Sequence, residues 1–216
     1  MAYPFVYDTA VFFEACSGAT SKVIRATQLG ALNSHTKIVS VTAGGDDLNL
    51  FGVAIRCVLY GRDPSNCRRA LGLSLGSKAT SLAQVQRNLV GLFGAIRAKA
   101  RNANVYVLGY PNPLPQLVPK SCVAPLRLWE AGGLLGLRQT DAELFWAVIG
   151  MLNRRVQAAA RSAGVRYIKP FTGHNICSQD PWFFPLASNA LTLHPNEDGQ
   201  AEMAMLLRQA AGRPPS

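Results

Sequence analysis

Apolar positions along this chain follow two different periods. Three short runs, residues 37–42, 104–108 and 165–169, are nearly continuous and rich in β-branched side chains. Runs of this kind read as strands buried on both faces of a parallel sheet. Between them the spacing becomes helical. Leu82, Val85, Leu89, Leu92, Phe93 and Ile96 share one face, and Leu144, Val148, Leu152 and Val156 form a second stripe. Ser81 with Gln84, and Thr140 with Glu143, have capping-box spacing, and Gly164 suits a helix C-terminus. Further helices are predicted over 4–14 after Pro4, over 23–32, over 48–60 and over 196–211. Residues 61–77 and the Pro-rich stretch from 109 to about 137 read as loops, and loops of the second length are usually functional. Strands separated by helices require crossover connections. The pattern therefore predicts an α/β fold with a parallel sheet in a single domain, 1–216, with no repeat or linker.

Composition narrows the class. At 49% hydrophobic residues over 216 positions the chain can bury a substantial core. No apolar run reaches membrane-spanning length. Residues 1–13 are apolar but carry Asp8 and no basic n-region, so no signal peptide is visible. The net charge is +10. Its basic residues are scattered, with only short pairs such as Arg68-Arg69 and Arg154-Arg155, and read as solvated surface drawn to anionic surfaces rather than as a nucleic-acid site.

Five cysteines leave one over. Cys57 and Cys67 bracket a short Gly/Asp/Pro/Asn loop and frame a local disulfide. Cys122 and Cys177 lie in irregular Pro- or Gly-rich stretches, and Cys16 remains. Two disulfides imply an oxidising compartment; buried free thiols are the alternative. Nothing has C-x-x-C spacing, so neither a zinc site nor another metal is expected.

The candidate chemistry gathers at strand ends. Val39-Ser40-Val41-Thr42-Ala43-Gly44-Gly45-Asp46-Asp47-Leu48 is an apolar run ending in two glycines and two carboxylates. In an α/β fold such a segment delivers polar groups to the carboxyl edge of the sheet; an ordinary turn with an Asp N-cap has the same composition. The Gly72–Lys78 segment departs from P-loop spacing and follows no apolar strand. Only His35, His174 and His194 are histidines, the residue type suited to acid–base work near neutral pH. Of these His194, in Leu193-His194-Pro195-Asn196, stands on a loop entering the last helix, where a base reaches the carboxyl edge.

Five stretches in one order carry a resemblance: Ala15-Cys16-Ser17-Gly18-Ala19-Thr20, Thr42-Ala43-Gly44-Gly45-Asp46-Asp47, Leu108-Gly109-Tyr110-Pro111, Gly173-His174-Asn175-Ile176-Cys177-Ser178 and Leu193-His194-Pro195-Asn196. Together they resemble the secreted SGNH (GDSL-type) esterases and lipases of bacteria, over nearly the whole chain. The resemblance implies a flavodoxin-like three-layer α/β/α sandwich that hydrolyses carboxylic esters with a Ser–His pair. It implies a backbone N–H of Gly18 in the oxyanion hole, a second donor at the position of Asp46, and His194 as catalytic base. It maps disulfides onto Cys57–Cys67 and Cys122–Cys177. It implies no cofactor, a small-molecule or lipid ester as substrate, and a monomeric, secreted protein.

The chain departs from that pattern in three places. The family's nucleophile sits in a Gly-Asp-Ser block after the first strand, well ahead of the Cys-Ser-Gly-Ala-Thr turn. Residues 1–15 contain no serine. The expectation is therefore a domain incomplete at its N-terminus, lacking the first strand and inactive, with Cys16 separated from its usual partner. Asp46 stands where the family has a donor asparagine, and a carboxylate there offers no donor. Leu191 stands where an acid often precedes the histidine, and some members orient the histidine with a backbone carbonyl instead. Ser17 and His174 are read as structural. Trp182 and Phe183 are candidates for a substrate pocket, with at least two of Trp182, Phe183 and Phe184 expected in the core. The alternative to an esterase is a non-catalytic ester- or glycan-binding protein on the same fold.

Overall fold

The computed structural model describes residues 10–50, 52–53, 69, 79–119, 122, 139–185 and 193–212. Three strands, β1 (Ile38–Val41), β2 (Asn104–Leu108) and β3 (Arg166–Ile168), form a parallel sheet in the order β1-β2-β3. The register pairs Val39 with Val105, Val41 with Val107, and Leu108 with Ile168. Among the described residues the helices that accompany it include α1 (Ser21–Thr27), α2 (Ala79–Lys99), α3 (Gln139–Ser162) and α4 (Glu197–Ala211).

Side chains alternate across a strand, so the register sorts the sheet into two faces. Val39, Val41, Val105 and Val107 join the main core with α2 and α3. Tyr106, Leu108 and Ile168 face the other way, against Met203, Leu206, Leu207 and Ala210 of α4. Helices therefore cover both faces, and the class is α/β as the pattern predicts. All six residues of the predicted α2 stripe are at most 7% exposed, and Val148, Leu152 and Val156 of α3 are at most 1% exposed. β1 is bonded to β2 on one side, and Ile38 is 51% exposed.

Several boundaries differ from the sequence reading. Residues 10–14 are not helical; Val11, Phe12 and Phe13 are exposed. Ser81 and Thr140 lie inside the first turns of α2 and α3 and so are not N-caps. Gln139 is tied to the 116–118 segment: its amide accepts from Val118 N–H at 2.8 Å and donates to the Gln116 carbonyl at 2.8 Å. α1 ends at Thr27, short of the predicted 32. Most of the predicted 48–60 helix, the 61–77 loop and residues 123–137 lie outside the described residues.

Candidate functional site at the carboxyl edge of the sheet

The turn after β1 is built by exclusion of side chains. Gly44 has φ +112°, and a Cβ there would press on Leu89, Leu152 and Val85 at 3.3–3.4 Å. A Cβ on Gly45 would lie 3.0–3.1 Å from the Tyr110 ring. Glycine at 45 lets the phenol close on the backbone, and the Gly45 N–H donates to the Tyr110 hydroxyl at 2.9 Å. Tyr110 follows β2 and is held from α3. The Asn153 side chain accepts from Tyr110 N–H at 2.8 Å and donates to the Tyr110 carbonyl at 2.9 Å. Burial holds the phenol well above its usual range; the Gly45 N–H opposes this, and the carboxylates of Asp46 and Asp47 add to it.

Asp46–Leu48 then forms one turn of 3-10 helix. Asp47 reaches across to a different element. Its carboxylate accepts the Ser21 N–H at 2.8 Å and the Ser21 hydroxyl at 2.5 Å. Ser21 opens α1, whose N-cap Thr20 accepts from Val23 N–H at 3.3 Å. A carboxylate is well placed at these otherwise unpartnered N–H groups. The capping role open to this turn in the sequence thus falls to Asp47, and the helix it caps is α1. The latch docks the preceding turn, with Gly18 at φ +79°, onto the end of β1.

His194 is fixed from the other layer. Phe184 N–H donates to the His194 carbonyl at 2.9 Å, Leu193 N–H to the Phe184 carbonyl at 3.1 Å, and Phe183 and Pro195 form an antiparallel bridge. Asn196 caps α4 through Gly199 N–H at 3.1 Å. Its own N–H meets the Trp182 carbonyl, and its side-chain amide meets that of Pro181, both at 2.9 Å. His194 and Asp46 lie near enough to feel each other's charge. Partial burial is the largest influence on Asp46 and raises its pKa; His194 lowers it, and Asp47 raises it. The outer side of Asp46 remains exposed.

The fold thus ties Ser21, three residues after Gly18, to Asp47 and brings Asp46 within charge range of His194. The other candidates lie around them. Phe183 is 2% exposed and packs on Phe171 in the core, with ring centroids 5.5 Å apart. Trp182 is half-buried. It borders a shallow depression of about 400 Å³ with Asp180, Asp198, Ala201, Glu202 and Met205. His174 stacks on Trp182 at 3.6 Å, and its Nδ1 meets the Asp180 carbonyl at 2.9 Å, a structural arrangement. Cys122 and Cys177 form a disulfide, and Cys16 is an exposed free thiol. Cys57 and Cys67 lie outside the described residues. Among the described residues no group of three or more His, Cys, Asp or Glu could hold a metal ion. Sequence reasoning missed Asn153, a polar side chain beside an apolar helical stripe, which was its only signal.

A parallel sheet covered by helices on both faces places the chain in the α/β class. The model of the GDSL-like lipase/acylhydrolase family matches residues 4–202. Lipase 1 of Streptomyces coelicolor (strain ATCC BAA-471 / A3(2) / M145) is 30% identical over 217 residues, covering 93% of this chain and 71% of its own length. A lipase of Streptomyces rimosus is 29% identical, covering 88% of this chain and 66% of its own length. The crystal structure of the extracellular lipase from Streptomyces rimosus superimposes with a TM-score of 0.77 at 26% identity, over 92% of this chain and 79% of that one. Phospholipase A1 from Streptomyces albidoflavus NA297 gives 0.74 at 28% identity, over 90% and 77%. The chain belongs to the GDSL-like lipase/acylhydrolase family.

Proposed function

We propose that this chain is a secreted carboxylic ester hydrolase domain of the kind that acts on lipid esters through a Ser–His pair, and that its 216 residues alone do not turn over esters. In this reading His194 accepts the proton of an attacking serine and returns it to the leaving alcohol, while the Gly18 N–H steadies the oxyanion. The observation that carries the reading is the Asp47–Ser21 latch, which docks the Gly18 turn at the carboxyl edge that His194 also reaches. The lipid ester follows from the relatives, which are described as lipases and a phospholipase A1.

Two observations support the missing nucleophile. Residues 1–15 contain no serine, and the Ser21 hydroxyl is committed to Asp47. Ile38 of β1, at 51% exposure, is apolar surface that a further strand would cover. Asp46 adds a second deficit, since losing one oxyanion donor typically costs about a hundred- to thousandfold in rate. That same carboxylate favours the second reading, a non-catalytic ester- or glycan-binding protein.

Hydrolysis of p-nitrophenyl butyrate, beside a His194→Ala control, tests both. The expected rate is indistinguishable from the control. Robust turnover abolished by the substitution would show that a hydroxyl within these residues, Ser17 first among them, serves as nucleophile. Ester or glycan binding by a folded monomer without turnover would favour the second reading.

A further inference from the structure

The charge of this chain is sorted between its two helical layers. Lys22 and Arg25 on α1, Arg87 and Arg97 on α2, and Arg154 and Arg155 on α3 are all exposed. These three helices pack side by side on one face of the sheet. α1 and α2 contain no acidic residue. α3 contains two: Asp141, which is buried, and Glu143 in its first turn. The opposite layer, α4, opens with Glu197 and Asp198 and carries Glu202, with Arg208 as its one basic residue. These three helices together carry eight Lys or Arg and two acidic residues, a surplus of six positive charges, while the acidic groups of α4 lie beyond the sheet.

The geometry points to this α1–α2–α3 face as a docking surface for an anionic lipid bilayer. Charge complementarity carries the assignment: clustered Lys and Arg gain attraction from a negatively charged membrane surface residue by residue. The cations are held rather than freely swinging. Arg155 donates to Gln86 at 3.0 Å, linking α3 to α2, and Arg97 donates to the Ala163 carbonyl at 2.9 Å. Both contacts leave the charge unneutralised. Among the described residues of these helices Phe93 and Phe145 are buried and Trp146, partly exposed, donates to the Leu114 carbonyl, so none offers a fully open face for bases to stack on. The choice of lipid over nucleic acid also rests on the ester-hydrolase reading. Docking by this face leaves the carboxyl edge, with Gly18, Asp46 and His194, at the rim of the contact.

Co-sedimentation with vesicles tests this without reference to turnover, so the ester-hydrolase reading can fail independently. The chain is expected to bind phosphatidylcholine vesicles containing about 30 mol% phosphatidylglycerol and not pure phosphatidylcholine vesicles. Binding is expected to fall at least tenfold between about 0.05 and 0.5 M NaCl. R154E/R155E and, separately, K22E/R25E are each expected to lower the partition coefficient by about tenfold or more, with circular dichroism reporting that each variant is folded. R208E, on the opposite layer, is expected to leave it unchanged. Equal binding to neutral vesicles, an equal loss with R208E, or displacement from the vesicles by duplex DNA at equal phosphate concentration would overturn the assignment.

Discussion

Asp47 and Ser21, 26 positions apart, are joined by two hydrogen bonds from the backbone N–H and the hydroxyl of the serine to one carboxylate, at 2.8 and 2.5 Å. This contact ties the start of α1 to the end of β1. Asp47→Ala leaves the Ser21 N–H without its partner and removes a charge-assisted bond. The expected loss is about 1.5–3 kcal/mol of stability, measured by urea unfolding. Asp47→Asn keeps an acceptor and is expected to recover part of it. A loss under about 0.5 kcal/mol for Asp47→Ala would mean that the Gly18 turn is held by other contacts.

Tyr110→Phe removes the acceptor of the Gly45 N–H while keeping the ring that packs on Gly45. The expected cost is about 1–3 kcal/mol, the usual penalty for a buried unsatisfied donor. Asn153→Ala acts on the same element through the backbone of Tyr110. A double-mutant cycle is expected to show coupling of about 0.5 kcal/mol or more; strict additivity would separate the two contacts.

Asp46 gives a pH dependence of defined sign. Its pKa is raised above 3.8 chiefly by partial burial, so the native state holds that proton more tightly than the unfolded chain. Ionised Asp46 therefore costs stability above its native pKa, and the cost disappears as pH falls below the unfolded value. Asp46→Asn is expected to raise the melting temperature at neutral pH and to leave it unchanged near pH 3. The opposite trend would place a dominant favourable charge partner beside the carboxylate.

The Cys122–Cys177 bridge spans 55 positions. Loop-closure entropy places its contribution at about 4 kcal/mol at most, so C122A/C177A is expected to unfold at markedly lower urea. Alkylation of the native chain followed by intact mass measurement checks the remaining pairing. One modified thiol, Cys16, is expected if Cys57 and Cys67 are bonded to each other, and three if they are free.

Gly44→Ala tests the turn itself. At φ +112°, with Leu89, Leu152 and Val85 already 3.3–3.4 Å from a Cβ, alanine is strained in backbone and in packing. A loss of about 1–3 kcal/mol is expected in chemical unfolding.

What the sequence settled by itself was local. β2 occupies the predicted residues 104–108, and the α2 stripe from Leu82 to Ile96 is buried throughout, because the period of apolar residues is written into the chain and burial follows it. Gly18 and Asp46 were legible as candidates through the resemblance of their motifs to the family, and His194 also through its place on the loop entering the last helix. Their juxtaposition was not legible, since it depends on contacts between distant segments. Asp47 reaches back to Ser21, Asn153 grips the backbone of Tyr110 from 43 positions away, and Phe184 pairs with the loop of His194. The capping boxes read at Ser81 and Thr140 fall inside α2 and α3, so local spacing did not mark where these helices begin. The sorting of charge onto one face was equally hidden, because cations scattered in sequence converge only when three helices are laid side by side.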